Sequence, residues 1–394
     1  MSRIPVRVSA VGVVVGVVTA GLAVLAPAAH AASTCTVNGA SVTSTLIVGG
    51  LGDDVIVCSA GVAADTTVNG GAGNDRITVT GGSAAGFVYG GAGADTIEVT
   101  APAAALNGLA AVTGTVRGGA PLLGAALDGN DTITANGGAV TGSFGGAGVR
   151  GTVIGDAGDD RITITGGDAA SGPGRGLDGG GSIQGGAGGD EIRVRGGLRT
   201  SGSNTTRADG VGTGEVRGGG TLGGLLDGDD LILANSTVRS AGTLAGDAGN
   251  DTINAAANAG RALGGEGNDN ITFLANTGTL DGGPGDDTLG TGNNVRTILG
   301  GTGQDNIRVL QTNARQVEGG AGNDTIEVFT NQGTTRGNEG NDSLTAGNNR
   351  GSLLGDAGDD TLRVYIYNYR LVDGGPGTDQ CTVINGDPPV NCQP

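Results

Sequence analysis

Residues 246–254 read GDAGNDTIN, 264–272 GGEGNDNIT, 282–290 GGPGDDTLG and 300–308 GGTGQDNIR, and the series runs on through GGAGNDTIE, GNEGNDSLT, GDAGDDTLR and GGPGTDQCT. The aspartates that close these turns are Asp251, Asp269, Asp287, Asp305, Asp324, Asp342, Asp360 and Asp379, spaced by 18 or 19 residues every time. A fixed period of this length marks a repeat architecture in which each unit stacks on the next. Glycines at the first, second and fourth places of the motif permit positive φ and a tight turn. The triplet after each aspartate reads as a short strand whose middle residue points inward: Ile253, Ile271, Leu289, Ile307, Ile326, Leu344 and Leu362, with Cys381 in the last copy. A second inward row is expected just before the turns, at Leu263, Leu299 and Leu354, with Val317 as a variant.

Working outward, complete copies end at Asp54, Asp75, Asp95, Asp160 and Asp190, and two interrupted ones begin at Gly118-Gly119 and Gly218-Gly219 and reach Asp131 and Asp230 after inserts. Together they make fifteen. The turn resembles the GGxGxDxUx nonapeptide, U being a large aliphatic, of the RTX or haemolysin-type calcium-binding proteins. The resemblance covers most of the chain beyond residue 31 and implies a β-roll that holds Ca2+ at the fifteen closing aspartates. In the densest form of that pattern the nonapeptide recurs every nine residues and sites line both sides. Here the period is about eighteen, one full coil, so the expectation is a right-handed parallel β-roll or β-helix solenoid, all-β, with about 18 residues per coil and one calcium row. Toxin, protease or lipase activity is not carried over, because no such domain accompanies the repeats.

The other half of each coil carries a second periodic residue: Asn258, Asn276, Asn294, Asn313, Asn331, Asn349 and Asn368. These read either as a stacked amide ladder on the edge opposite the aspartates or as a turn residue of broad tolerance. Between residues 101 and 245 the aspartate spacings are irregular, and the calcium row is expected to be interrupted between Asp95 and Asp251. Residues 116–133 and 216–232 look like one unit copied. The segment GGAGVR at 145–150 puts Arg150 where the aspartate belongs, and is expected to be a degraded turn without metal.

The chain begins with Arg3 and Arg7, an apolar run over residues 8–28 and Ala29-His30-Ala31, the pattern of a secretory signal cleaved after Ala31. An uncleaved membrane anchor is the alternative. The expected organisation is a signal peptide at 1–31 and one solenoid at 32–394: an N-terminal cap and first coils at 32–100, irregular coils with loop insertions at 101–245, and regular coils with a C-terminal cap at 246–394. Cleavage would remove the only His and Met and leave 39 acids against 19 Arg. Such a surface repels nucleic acid and anionic lipid and favours cations. Cys35, Cys58, Cys381 and Cys392 lie as one pair near each end, and locality favours Cys35 with Cys58 and Cys381 with Cys392. This usage fits a secreted, extracellular or cell-surface protein.

Coils about 4.8 Å apart make the aspartate row a column of like charges. Neighbours then repel by about 0.9 kcal/mol in water and about 3.5 kcal/mol at an effective dielectric near 20. Oxygen donors without His or thiolate select a hard ion, and a flexible set of six to eight oxygens suits calcium. Folding is expected to be coupled to its binding. With neither His nor Lys beyond the signal, the usual general bases and amine nucleophiles are missing, and no enzyme is expected. The expected partners are calcium ions and a cell-surface polysaccharide or the cell envelope, without nucleic acid and without membrane once the signal is removed. The role that follows is structural or adhesive. The alternatives are a calcium-dependent β-helix that binds or acts on polysaccharide, for which Tyr365, Tyr367 and Tyr369 could form a platform rather than shield the solenoid end, and an ice-binding solenoid.

Overall fold

Aliphatic residues at alternate places, as in Ile307-Arg308-Val309, favour an extended backbone with one face buried. In the computed structural model each coil contributes two such strands. Asn306–Asn313 pairs in parallel with Thr325–Asn331, setting Ile307 opposite Ile326 and Val309 opposite Val328. Thr297–Thr302 pairs with Gln316–Ala321 in the same way. The structure describes residues 31–393 apart from 105–106, 120–127, 142–143, 202–203 and 220–226. The expected signal segment thus lies outside the described residues except for Ala31.

Among the described residues 31 strands join one continuous sheet, whose pairings are parallel except at the N-terminal end. There Ser33–Val37 runs antiparallel to both Ala40–Ser44 and Val55–Cys58, and this hairpin covers the first coil. Cys35 is bonded to Cys58 and Cys381 to Cys392, the pairing that locality favours. A separate antiparallel hairpin joins Leu198–Ser201 to Asn204–Arg207. The molecule is a parallel β-solenoid.

The first inward row is as expected from Ile253 through Leu362, all fully buried, while Cys381 in the last copy is only half-buried. The second is shifted by one residue. Ala262, Ile298 and Leu353 point inward, and Leu263, Leu299 and Leu354 are only half-buried, while Val317 is inward as expected. Two adjacent aliphatics leave the strand phase open, and the core takes the residue two places before the first glycine. At Val317 the following Glu318 had marked the phase.

The corner between the two strands of each coil forms a column along the whole solenoid. In the later coils it is the asparagine row, Asn258 opposite Asn276 and so on to Asn368. In the earlier coils the same column is aliphatic: Val62, Ala84, Val112, Val149, Leu177, Val211 and Val238, the last standing opposite Asn258. Val149 belongs to GGAGVR, so that segment is no degraded turn. It builds the corner across the coil from the aspartates.

Candidate metal site

Every turn brings its aspartate to one edge, and all fifteen stand in one ladder. The backbone N–H of each aspartate donates to Oδ1 of the aspartate in the following coil, from Asp54 to Asp75 at 2.7 Å through to Asp360 to Asp379 at 2.9 Å. The aspartate ladder runs unbroken through the stretch where the calcium row is expected to be interrupted. Asp95 donates to Asp131, Asp131 to Asp160, Asp160 to Asp190, Asp190 to Asp230 and Asp230 to Asp251, at 2.6–2.8 Å. Sequence distance across an insert is not spatial distance, because the coils on either side stay in register.

The second carboxylate oxygen is the anomaly. Oδ2 of Asp75, Asp95, Asp131, Asp160, Asp190, Asp230, Asp251, Asp269, Asp287, Asp305, Asp324, Asp342, Asp360 and Asp379 is buried without a hydrogen-bond partner. Buried polar atoms are normally satisfied, so a column of fourteen exceptions requires a cause. Asp54 differs: its Oδ2 accepts the Gly50 N–H of its own turn, and its Oδ1 accepts the Asn38 amide of the N-terminal hairpin. Burial pushes the carboxyls up, to about 7 for Asp95, Asp190, Asp251, Asp269, Asp305 and Asp342, about 8 for Asp160, and about 9 for Asp131 and Asp230. Neighbouring aspartates add to the rise and the backbone donor opposes it.

The glycines explain themselves from this geometry. The second and fourth of the motif hold positive φ, as at Gly265 and Gly267, both +126°. The first does not, contrary to the simple turn expectation. It must lack a side chain because a methyl on Gly264 would stand 2.1 Å from Asp269 Oδ2 and 2.4 Å from the Gly282 carbonyl oxygen of the next coil. The same pair of oxygens crowds Gly282, Gly300 and Gly355. In these coils a carboxylate oxygen and a carbonyl oxygen thus stand close together, and the carboxylate oxygen has no donor. Among the described residues no three His, Cys, Asp or Glu side chains gather as a metal cluster. A cation here would take one aspartate per turn and backbone carbonyls for the rest, a donor set suited to a hard ion.

Two features escaped the sequence reading. The residue before each closing aspartate is Asn or Asp in eleven of the fifteen copies, and it builds an exposed ladder of its own. Its Oδ1 accepts the N–H of the next coil, as from Asn268 to Asn250 and from Asp286 to Asn268 at 2.8 Å, in the opposite sense to the aspartate ladder. The second place of the motif is not always glycine. Asp156, Asp247 and Asp356 hold φ of 87°, 81° and 71°, and each is paired with an arginine of the preceding coil, Arg117, Arg217 and Arg336. Arginine occurs directly before the first glycine only in these three places, so the strained aspartate and its partner occur together.

The asparagine row is a ladder rather than a set of tolerant turn residues. Nδ2 of Asn258 donates to Oδ1 of Asn276 at 3.0 Å, and the pattern continues without a break to Asn368. Each of these side chains is fully buried. The Tyr367 and Tyr369 rings meet at 4.4 Å, tilted by 33°, with Arg350 over the Tyr369 ring, both rings being more than 40% exposed, while Tyr365 is half-buried.

No protein-family model and no curated protein sequence matches the chain. Among solved structures it is similar to a hyperactive, Ca2+-dependent, β-helical antifreeze protein from an Antarctic bacterium, at 20% identity, over 81% of this chain and 83% of that one, with a TM-score of 0.39.

Proposed function

We propose that this chain is an extracellular calcium-binding solenoid whose fold depends on the ion, with a structural or adhesive role and no catalytic one. The observation that carries the reading is the column of fourteen buried Oδ2 atoms without a donor. In a metal-free fold each would stay desolvated and unpaired, which costs about 1–3 kcal/mol per group or forces protonation. A divalent cation between turns removes both problems, and its binding free energy becomes folding free energy. The aspartates from Asp75 to Asp379 therefore act as ligands, while both oxygens of Asp54 already accept hydrogen bonds, from Gly50 and Asn38. The two disulfides fit an oxidising compartment. Circular dichroism of the full chain above about pH 9, where the aspartates are ionised, tests the reading: β signal should collapse with chelator and return with millimolar calcium. A spectrum indifferent to chelator would refute it.

A second observation favours polysaccharide as what the solenoid holds. A cleft of about 600 Å³ in the irregular coils is lined by Arg150, Arg175, Arg199 and Arg239 with the exposed Phe144. Arg175 pairs with Asp178 and Asp209, and Arg239 with Asp209, both acids lining the same cleft, so Arg150 and Arg199 carry the charge offered to a ligand. Guanidinium groups beside an aromatic face suit a carboxylated or sulfated sugar. Retention on an immobilised acidic polysaccharide that vanishes in Arg150→Ala/Arg199→Ala supports this. Equal retention of the variant would remove it.

A further inference from the structure

Asp131 and Asp230 close the two interrupted turns, and those turns differ from the other thirteen in the residue three places earlier. Elsewhere that place holds Ala, Leu, Pro, Thr or Glu. Here it holds Asp128, in Asp128-Gly129-Asn130-Asp131, and Asp227, in Asp227-Gly228-Asp229-Asp230. Glu266 and Glu339 occupy the same place in ordinary turns and are exposed, whereas Asp128 and Asp227 turn into the edge and are half-buried.

Their oxygens converge on the paired glycines. A methyl on Gly118 would stand 1.8 Å from Asp131 Oδ2, and one on the adjacent Gly119 would stand 2.1 Å from Asp128 Oδ2. The second unit repeats this, with 1.9 Å from Gly218 to Asp230 Oδ2 and 1.8 Å from Gly219 to Asp227 Oδ2. In ordinary turns the oxygen nearest the second glycine is a neutral carbonyl, as Gly265 O is for Gly283 at 2.2 Å. Asp131 and Asp230 are 1% and 3% exposed, and their Oδ2 atoms have no partner. Asp227 Oδ1 is buried and unpartnered as well, while its Oδ2 accepts the Ala248 N–H at 3.1 Å; Asp128 Oδ2 likewise accepts that of Ala157, and its Oδ1 accepts the Gly129 N–H at 3.2 Å.

Charge singles these two turns out. The nearby Asp156 is held by Arg117 and the nearby Asp247 by Arg217, which also pairs with Glu215, so neither carboxylate stands without a cation beside it. Two inward carboxylates remain per site, Asp128 with Asp131 and Asp227 with Asp230, the exposed Asp229 being bonded to Asn250 instead, and the two balance one divalent ion. We propose that these are two two-carboxylate cation sites, distinct from the single-aspartate turns, which fill first and bind calcium at least tenfold more tightly. Ligand charge is a principal control on calcium affinity. The proposal rests on the calcium reading above for the identity of the ion.

The test is equilibrium calcium binding to the full chain by dialysis, with Asp128→Asn/Asp227→Asn as the variant and Glu266→Gln/Glu339→Gln as the control. The wild type should show two tight ions followed by a weaker class. The variant should lose the tight class and keep the weaker one, and the control should keep both. A single uniform class in the wild type, or a tight class that survives in the variant, would overturn the proposal while leaving the calcium reading intact. Absence of any binding would overturn that reading itself. Because the wild-type isotherm counts tight ions directly, a variant that fails to fold leaves the test decisive.

Discussion

The coils that end at Val238 and those that begin at Asn258 share one aspartate ladder but close the opposite corner by different physics. In the earlier coils a column from Val62 to Val238 packs aliphatic side chains, and the aspartates there are 20 to 40 residues apart. In the later coils Asn Oδ1 accepts the N–H two residues on, as from Gly260 to Asn258 and Gly278 to Asn276, while Nδ2 bonds the next coil. The side chain itself satisfies the corner, so the coil closes in 18 or 19 residues. A valine cannot answer a backbone N–H, and corners built on it use longer connections. The lesson is that the metal edge sets the stacking axis and the other corner sets coil length.

The largest expected effect separates the two regions by pH. A carboxyl held above its unfolded value contributes stability below that unfolded value and loses it as pH rises through the folded one. Burial holds Asp131 and Asp230 at about 9 and Asp160 at about 8, against about 7 for Asp269, Asp305 and Asp342 and about 6 for Asp287. In chelator the chain should therefore gain amide-exchange protection on acidification from about pH 9 towards pH 5, first around Asp131, Asp160 and Asp230 and then around Asp190 and residues 269–342, which share a value of about 7. Uniform protection across the two regions would break the comparison. With calcium saturating, protons compete with the ion and the dependence should reverse.

Exchanging the corner residues sharpens the contrast further. Val149→Asn places an amide between Val112 and Leu177, neither of which can pair it, and should cost about 3 kcal/mol in a calcium-loaded melt. Asn294→Val removes the acceptor of the Asn276 amide and the donor to Asn313, and should cost about 2 kcal/mol. If Asn294→Val were neutral, the amide ladder would be ornament. The smallest effect belongs to Arg336→Ala, which frees Asp356 from a partly exposed ion pair and should cost about 0.5 kcal/mol in the same melt. A loss several times larger would mean that the arginine holds the left-handed aspartate in place.

The turn, the aspartate row, the first inward row and both disulfides were legible because each follows from a local pattern with a single physical solution. The asparagine row was legible as a period, but choosing between ladder and turn required the fully buried amides. Legibility failed where local rules leave two solutions. Ile298-Leu299 and Leu353-Leu354 offer two strand phases, and only the packed core selects the first residue of each pair. GGAGVR carries turn chemistry, yet Val149 answers to the aliphatic column, which no period reveals because its members are 22 to 37 residues apart. Asp128 and Asp227 were visible as acids, but their approach to Gly119 and Gly219 depends on how each coil resumes after its insert.

The central claim is that each orphaned Oδ2 marks a place for a cation. Native mass spectrometry of the folded chain at saturating calcium counts those ions directly. The account predicts about one ion per orphaned oxygen, on the order of fourteen, all lost together with the fold in chelator. A folded chain carrying none or only a few ions would contradict it.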